Sequence, residues 1–178
     1  MLEQSKSERV DPICTLPVRS PLTHCPEASG PLLLGFKAGA SVIRRTAFLE
    51  MGGFQSRMFV RGEEDSLALD LASAGWALTY IDDMIVHHYP SHHRSDITAR
   101  RRAVLHNRLW VAWLRRPRRH VLLRTLAMLG QGLRDPAAHE ALVAAARELP
   151  WVLRSRRVVQ PHIEEQIRLL EHKAMRQV

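Results

Sequence analysis

The segment over residues 52–88 constrains the fold most, because it places three carboxylates at the start of a well-defined helix. Leu67 and Leu71 recur at helical spacing, and alanines at neighbouring positions widen this apolar stripe. Gly75 follows the stripe at the position where a left-handed residue commonly ends a helix. The sequence therefore predicts a helix over residues 63–74 with its acidic residues in the first turn.

Shorter apolar runs on both sides of this helix predict strands. Leu32 to Ile43 is apolar and small and contains glycines, as a buried strand does when another group approaches its backbone. Residues 76–81 and 84–89 predict two further short strands, which an acidic turn separates. Residues 46–51 predict a short helix that ends at a pair of glycines. Strands interspersed with helices predict an α/β class for this region.

The C-terminal third is predicted to be helical, amphipathic and basic. Ser95 or Asp96 can begin a helix that ends near residue 116, just before a proline. The pair Asp135-Pro136 is typical of a helix start, and Pro161 opens another helix. Residues 1–30, in contrast, are rich in proline and predict an extended arm or an irregular loop.

The charge of the chain points to a negatively charged partner. At 178 residues and 46% hydrophobic, the chain can bury one sizeable core. Its net charge of +8 and pI near 10.6 come mainly from arginine. Nine arginines lie between Arg94 and Arg119, where Asp96 is the single acid. Such a run suits phosphates, nucleic acid or an anionic membrane surface.

The cysteines and the apolar runs indicate in which cellular compartment the chain is expected. Cys14 and Cys25 lie in the proline-rich stretch without a preceding signal peptide, so free thiols in a reducing compartment are expected. A zinc site built from Cys14, His24, Cys25 and the later histidines is a competing interpretation, but its spacing matches no recurrent zinc pattern. No run approaches the roughly 18–20 consecutive apolar residues of a membrane span. The chain is expected to touch a membrane but not to cross it.

Several short motifs follow one another in a fixed order and spacing. They are Gly52-Gly53-Phe54, Phe59, Gly62-Glu63-Glu64, Leu67 to Leu71, Ala74-Gly75-Trp76 and His88. In this order they resemble the acceptor-side half of a bacterial family 2 glycosyltransferase, an inverting enzyme of the GT-A type. The resemblance covers residues 31–117. It implies a partial GT-A sheet, like that of other nucleotide-diphospho-sugar transferases, followed by a helical, basic extension over 118–178.

The resemblance assigns the chemistry of a hexosyl-type transferase to the three carboxylates. Transfer with inversion needs a base that takes the proton of the acceptor hydroxyl, and a carboxylate is the usual group. The catalytic acid of the family falls on Glu64, with Glu63 as an orienting neighbour and Asp65 as a third candidate. The alternative is structural, because acidic residues at a helix start are stabilised by the helix dipole in many proteins.

A metal site follows from the same resemblance. The family commonly binds Mg²⁺ or Mn²⁺ through an Asp-x-Asp motif, sometimes with a late histidine, and His88 occupies that position. In a regular strand His87 and His88 point to opposite faces, so only one can face the site. The alternative is a surface loop rich in histidine that holds no metal.

The arginines after the histidines have two further interpretations. Arg101 and Arg108 lie on a predicted helix that resembles one in some bacterial members of the family, and they could contact the phosphates of the donor. A solvated basic face is the alternative. Four arginines near the amphipathic segment Val121 to Leu133 could instead bind anionic lipid, which suits a lipid-linked acceptor. They are Arg115, Arg116, Arg118 and Arg119.

The chain departs from the family in lacking an Asp-x-Asp motif. We therefore expect the acceptor-side half of an enzyme for polysaccharide, cell-wall or glycolipid synthesis, with a nucleotide-binding half supplied in trans. The expected partners are a nucleotide-sugar donor, a hydroxyl acceptor and an anionic membrane, and the expected location is cytoplasmic, at the inner face of the plasma membrane. The alternative is a noncatalytic basic module that binds nucleic acid or anionic membrane. Nucleic acid is the less favoured partner, since Trp110 and Trp113 have the spacing of packed helix residues.

Overall fold

The computed structural model of the protein describes residues 30–58, 61–81, 83–87, 89 and 96–175. These residues form seven α-helices, a short 3₁₀ helix over Ala38–Ala40 and two short strands. The strands are β1 (Leu32–Leu33) and β2 (Leu78–Thr79). The helices are α1 (Arg45–Glu50), α2 (Glu63–Ser73), α3 (Ile97–Arg115), α4 (Arg118–Gly132), α5 (Pro136–Arg147), α6 (Leu149–Ser155) and α7 (Pro161–Met175). No helix of this described part is both long and apolar enough to cross a membrane.

The sheet is much smaller than the sequence predicts. β1 and β2 pair antiparallel, with Leu32 opposite Thr79 and Leu33 opposite Leu78. The predicted strand Leu32 to Ile43 is wrong beyond its first two residues, because the small residues around Gly39 form the 3₁₀ helix instead. The described residues of 84–89 form no strand either. A two-stranded ladder is marginal without further strands to pair with, so the partial GT-A sheet stays a prediction.

Helix α2 confirms the strongest local prediction. It begins at Glu63, and its C-terminal turn leads into Gly75, which has a positive φ of 87°. Leu67 and Leu71 are buried against Ala47 of α1. The helical apolar stripe and the glycine that follows it were sufficient to place this helix.

The larger core lies where α3 packs against α4, α5 and α6. Its centre contains Trp110, Trp113 and Leu114 of α3, together with Val152 of α6. The indole N–H of Trp110 donates to the backbone oxygen of Ala145 at 3.3 Å, and that of Trp113 donates to Thr125 Oγ1 at 2.9 Å. Three fully buried alanines of α5 allow the helices to approach closely: Ala138, Ala141 and Ala145. Both tryptophans therefore serve packing.

A second core joins α7 to the sheet and α2. Ile163, Ile167 and Leu170 of α7 pack with Leu34, which follows β1, and with Leu69 of α2. Both cores thus contain residues from before and after residue 118, the predicted start of the C-terminal extension.

Buried ion pairs occupy the end of α3. The Arg115 guanidinium pairs with both carboxylate oxygens of Asp70 in α2. Arg116 Nε donates to Glu164 Oε2 at 2.6 Å, and its Nη1 donates to Glu171 Oε1 at 3.0 Å. Arg115 and Arg116 are both buried, so the prediction that these two arginines contact lipid is wrong. The acids that pair with them are distant in sequence, which local patterns do not reveal.

Candidate functional site

The carboxylates lie in the first turn of α2, as the sequence predicts. Glu63, Glu64 and Asp65 follow a turn in which Arg61 has a φ of 69° and Gly62 a φ of 109°. The N-terminal end of a helix carries partial positive charge, so it stabilises negative charge at these three positions.

Glu64 connects α2 to the segment that follows β1. Its Oε1 accepts a hydrogen bond from the backbone N–H of Ala38 at 2.8 Å, in the 3₁₀ helix. The side chain is half-buried rather than directed into bulk water. Among the described residues nothing donates to Oε2, so one oxygen of this carboxylate is held while the other remains available.

Glu63 has an unsatisfied carboxylate oxygen. Its Oε2 is buried and has no hydrogen-bond partner among the residues that the structure describes. A buried acceptor without a donor costs on the order of 1–3 kcal/mol, and functional sites are one place where such groups occur. The pair Glu63 and Glu64 therefore offers one unpaired oxygen from each side chain.

Asn107 of α3 holds the turn before α2. Its Nδ2 donates to the backbone oxygen of Arg61 at 2.6 Å, and its Oδ1 lies 2.9 Å from Nδ1 of His106. Asn107 is buried on the packed face of α3. Sequence analysis assigned it no role in the site, although an amide within a buried helical stripe signals a specific hydrogen bond.

The contact between Gly62 and Asn107 gives a testable prediction. A Cβ on Gly62 would lie 2.7 Å from Asn107 Cβ, whereas a Cβ on Gly75, also at positive φ, would meet nothing within 4 Å. We expect Gly62→Ala to lower the free energy of unfolding by about 2–4 kcal/mol, from backbone strain and overpacking. The matched variant Gly75→Ala should lose only about 1–2 kcal/mol, from backbone strain. Urea denaturation measures both, and equal losses would contradict the close contact.

The two arginines predicted to bind phosphate lie elsewhere on α3. Arg101 Nη2 donates to Asp135 Oδ2 at 2.6 Å, at the start of α5, so a phosphate would have to replace this carboxylate. Arg108 is exposed and directly follows Asn107. Arg101 therefore points toward α5, whereas Arg108 lies next to Asn107, which binds the turn before α2.

The metal prediction depends on a histidine that lies outside the described residues. His88 lies outside them, as do Cys14, His24 and Cys25 of the zinc alternative, while His87 is exposed. Within the described ranges no group of three His, Cys, Asp or Glu side chains could hold a metal ion. The site for Mg²⁺ or Mn²⁺ therefore stays a prediction.

A polar cavity of about 430 Å³ lies beside α2, within the size range of small-molecule sites. It is lined by the glycine turn after α1, by Ser66 and Asp70 of α2, and by residues at the end of α6. Ser66 lies about one helical turn beyond Glu63, although the three carboxylates themselves do not line the cavity.

The lining of this cavity is positively charged. Asp70 and Arg115 neutralise each other, whereas Arg154 and Arg157 have no acidic partner among the described residues. The cavity could therefore accept a phosphate group. Neither arginine was predicted from the sequence, because tertiary packing brings them there: the backbone N–H of Arg157 donates to the carbonyl oxygen of Leu114 at 2.9 Å.

Comparison with known proteins relates the chain to glycosyltransferases. The curated proteins similar to it include the N-acetylglucosaminyl-diphospho-decaprenol L-rhamnosyltransferase of two Mycobacterium tuberculosis strains, CDC 1551 / Oshkosh and ATCC 25618 / H37Rv. Each is 30% identical to the chain over 103 residues, which cover 53% of the chain and 34% of the relative. The chain therefore spans about a third of the length of these relatives. No protein-family profile and no solved structure matches the chain.

Proposed function

We propose that the chain forms the acceptor side of an inverting, family 2-like glycosyltransferase. The observation that carries the proposal is the pair of carboxylates Glu63 and Glu64. In each of them, one oxygen accepts no hydrogen bond from a described residue. The similarity to a rhamnosyltransferase, 30% identical over 103 residues, supports the same proposal. The proposed substrates are a nucleotide-sugar donor and a hydroxyl acceptor. A lipid-linked diphospho-sugar acceptor, as in the name of the relative, fits a location at the cytoplasmic face of a membrane.

The proposed step uses Glu64 as the base. The oxygen of the acceptor hydroxyl attacks the anomeric carbon of the donor and forms the new glycosidic bond. The bond from that carbon to the diphosphate breaks on the opposite side, its electron pair leaves with the nucleoside diphosphate, and the configuration inverts. The proton of the hydroxyl passes to Oε2 of Glu64. The hydrogen bond from Ala38 to Oε1 orients the carboxylate.

Neighbouring groups complete the proposed site. Glu63, whose unpaired Oε2 is buried, is the neighbouring carboxylate that supports the base without contacting the hydroxyl. Nucleotide-binding residues, and the Mg²⁺ or Mn²⁺ that the resemblance implies, would come from a further segment, in trans or in one polypeptide. The proposed proton transfer involves only residues of this chain.

The noncatalytic alternative, a basic module that binds nucleic acid, is less well supported than the transferase. Four arginines of the basic run pair with acids: Arg101, Arg102, Arg115 and Arg116. Trp110 and Trp113 are buried, so neither can stack on a base. The membrane-binding form of the alternative is compatible with a transferase and does not compete with it.

A product assay tests the proposed function. The purified chain is incubated with nucleoside-diphosphate rhamnose and N-acetylglucosaminyl-diphospho-decaprenol, and mass spectrometry detects the acceptor with one added deoxyhexose. In a parallel arm, residues 31–178 replace the corresponding part of the mycobacterial enzyme, because the two cores contain residues from α4 to α7. We expect product from the hybrid enzyme, since this arm supplies the nucleotide-binding half.

The two arms separate the parts of the proposal. Product from the hybrid alone supports the acceptor-side site and a requirement for the second half. Product from the chain alone would contradict that requirement. A folded hybrid that yields no product with rhamnose or with a panel of other nucleotide-sugars would contradict the acceptor-side function.

A further inference from the structure

Helix α4 has one packed face and one exposed apolar face. Val121, Thr125 and Met128 face the core, and Thr125 accepts the hydrogen bond from Trp113. The exposed side next to this packed face, which we call the leucine face, consists of four leucines at helical spacing and one neighbouring leucine. They are Leu122, Leu123, Leu126, Leu129 and, just after the helix, Leu133. These side chains are 48–88% exposed, which is unusual for five leucines on one surface helix.

Arginines flank the leucine face, and residues 118–134 contain no acid. Arg118 and Arg119 are exposed at the start of α4, and Arg134 is exposed after its end. None of these three has an acidic partner among the described residues. Arg124, in contrast, pairs with Glu171 of α7 at 3.1 Å, on the side of the helix that faces α7. Both ends of the leucine face therefore carry uncompensated positive charge.

We propose that the leucine face binds the surface of an anionic lipid bilayer. Leucines on one side of a helix insert at the boundary between headgroups and acyl chains, while arginines at its ends contact lipid phosphates. The helix is about 22 Å long and would lie in the plane of the membrane, since its other face is packed against α3 and α5.

The charges favour a membrane over other occupants. A second copy of the chain would bring arginines against arginines, because the leucine face and its flanks contain no acid. A nucleic acid would contact the arginines but would leave five leucines in water. Of these three occupants, an anionic bilayer satisfies both the apolar and the cationic side chains. This inference does not depend on sugar transfer, since lipid binding requires neither donor nor acceptor.

Vesicle flotation tests the inference with the full chain. The chain is mixed with vesicles of phosphatidylcholine alone, or of equimolar phosphatidylcholine and phosphatidylglycerol, and centrifuged through a sucrose gradient. We expect the chain to float with the anionic vesicles, to bind neutral vesicles more weakly, and to lose part of the anionic binding at high salt. Flotation equal with neutral vesicles, or absent with anionic ones, would overturn the proposal.

Two pairs of variants locate the surface. Leu122→Ser/Leu126→Ser should lower the partition coefficient on the order of 10- to 100-fold, whereas the matched exposed pair Leu153→Ser/Leu169→Ser should leave it unchanged. Arg118→Gln/Arg119→Gln should lower it about tenfold or more, and Arg44→Gln/Arg45→Gln, which removes the same charge from another exposed site, should have a smaller effect.

Other outcomes would assign the leucine face differently. Equal losses in both leucine pairs would show that the effect is not specific to α4. A concentration-dependent dimer that the Leu122→Ser/Leu126→Ser variant abolishes would identify a second copy as the occupant. Oligonucleotide binding that needs Arg118 and Arg119 but no leucine would identify nucleic acid. Each of these results would overturn the membrane proposal, and circular dichroism checks that the variants remain folded.

Discussion

Replacing Glu64 with Gln is expected to lower the rate of sugar transfer by about 10²–10⁴-fold, the usual contribution of a general base. The amide oxygen of Gln can still accept the hydrogen bond that the Ala38 N–H donates to Oε1 at 2.8 Å. The local geometry should therefore survive while the proton acceptor is lost. The hybrid enzyme described above, carrying Glu64→Gln, is assayed under saturating donor and acceptor, and unfolding curves confirm that its stability is unchanged.

The control for this experiment is Glu165→Gln in α7. Glu165 is exposed and has no partner among the described residues, so its substitution removes one negative charge without touching the site. Transfer should continue at the parental rate. A Glu64→Gln enzyme that also keeps the parental rate would exclude Glu64 as the base. If Glu63→Gln alone abolished transfer, the base would be Glu63 and the assignment of the two roles would be reversed.

Replacing Arg116 with Met is expected to lower the free energy of unfolding by at most about 3–5 kcal/mol, because Glu164 and Glu171 lose their buried cation and keep only the more exposed Arg168 and Arg124. Arg116 and Glu164 are 6% and 5% exposed. Burial opposes the charge of Arg116, yet its hydrogen bonds to Glu171 and Glu164 raise its pKa. The matched variant Arg102→Met breaks an exposed pair with Glu140 and should cost at most about 1 kcal/mol.

Acid should reduce the difference between Arg116→Met and the parent. Burial disfavours the charge of Glu171, but the hydrogen bond and charge of Arg116 lower its pKa below the ordinary 4.5. A carboxylate with a lowered pKa stabilises the fold above its unfolded pKa, and this contribution disappears as the pH falls through the folded pKa. Denaturation at pH 7 and at several values below 4.5 measures the change.

A double variant separates the ion pair from a general packing effect. Arg116→Met/Glu164→Met should be more stable than Arg116→Met, since it removes the buried carboxylate that the single variant leaves paired only with the more exposed Arg168. A double variant that loses the sum of two large single effects would show that the methionine side chains do not fit this site. An Arg116→Met protein as stable as the parent would contradict the buried ion pair itself.

Local signals predicted the helices well because each signal acts within a few residues. Asp96 caps α3 by accepting a hydrogen bond from Thr98 N–H at 2.9 Å, and Asp135 caps α5 in the same way at 3.1 Å. Gly75 ends α2 with a positive φ. Such contacts are encoded in neighbouring residues, so a sequence pattern is sufficient to place them.

The strands and the site depended on contacts that the sequence does not display. The run from Leu32 to Ile43 is apolar enough for a strand, but a strand forms only where a neighbour pairs with it. The sequence placed Glu64 at a helix start, yet its contact with Ala38 spans 26 residues. Asn107, Arg154 and Arg157 reach the region of α2 only through tertiary packing.

The bond between Ala38 and Glu64 joins two segments that lie 26 residues apart in the chain. The same side chain therefore positions the turn after β1 and supplies the proposed base. Glu64→Ala would remove both at once, so a loss of transfer in that variant would not separate the position of the turn from the chemistry. A replacement that keeps an acceptor oxygen at this position is needed to test the chemistry by itself.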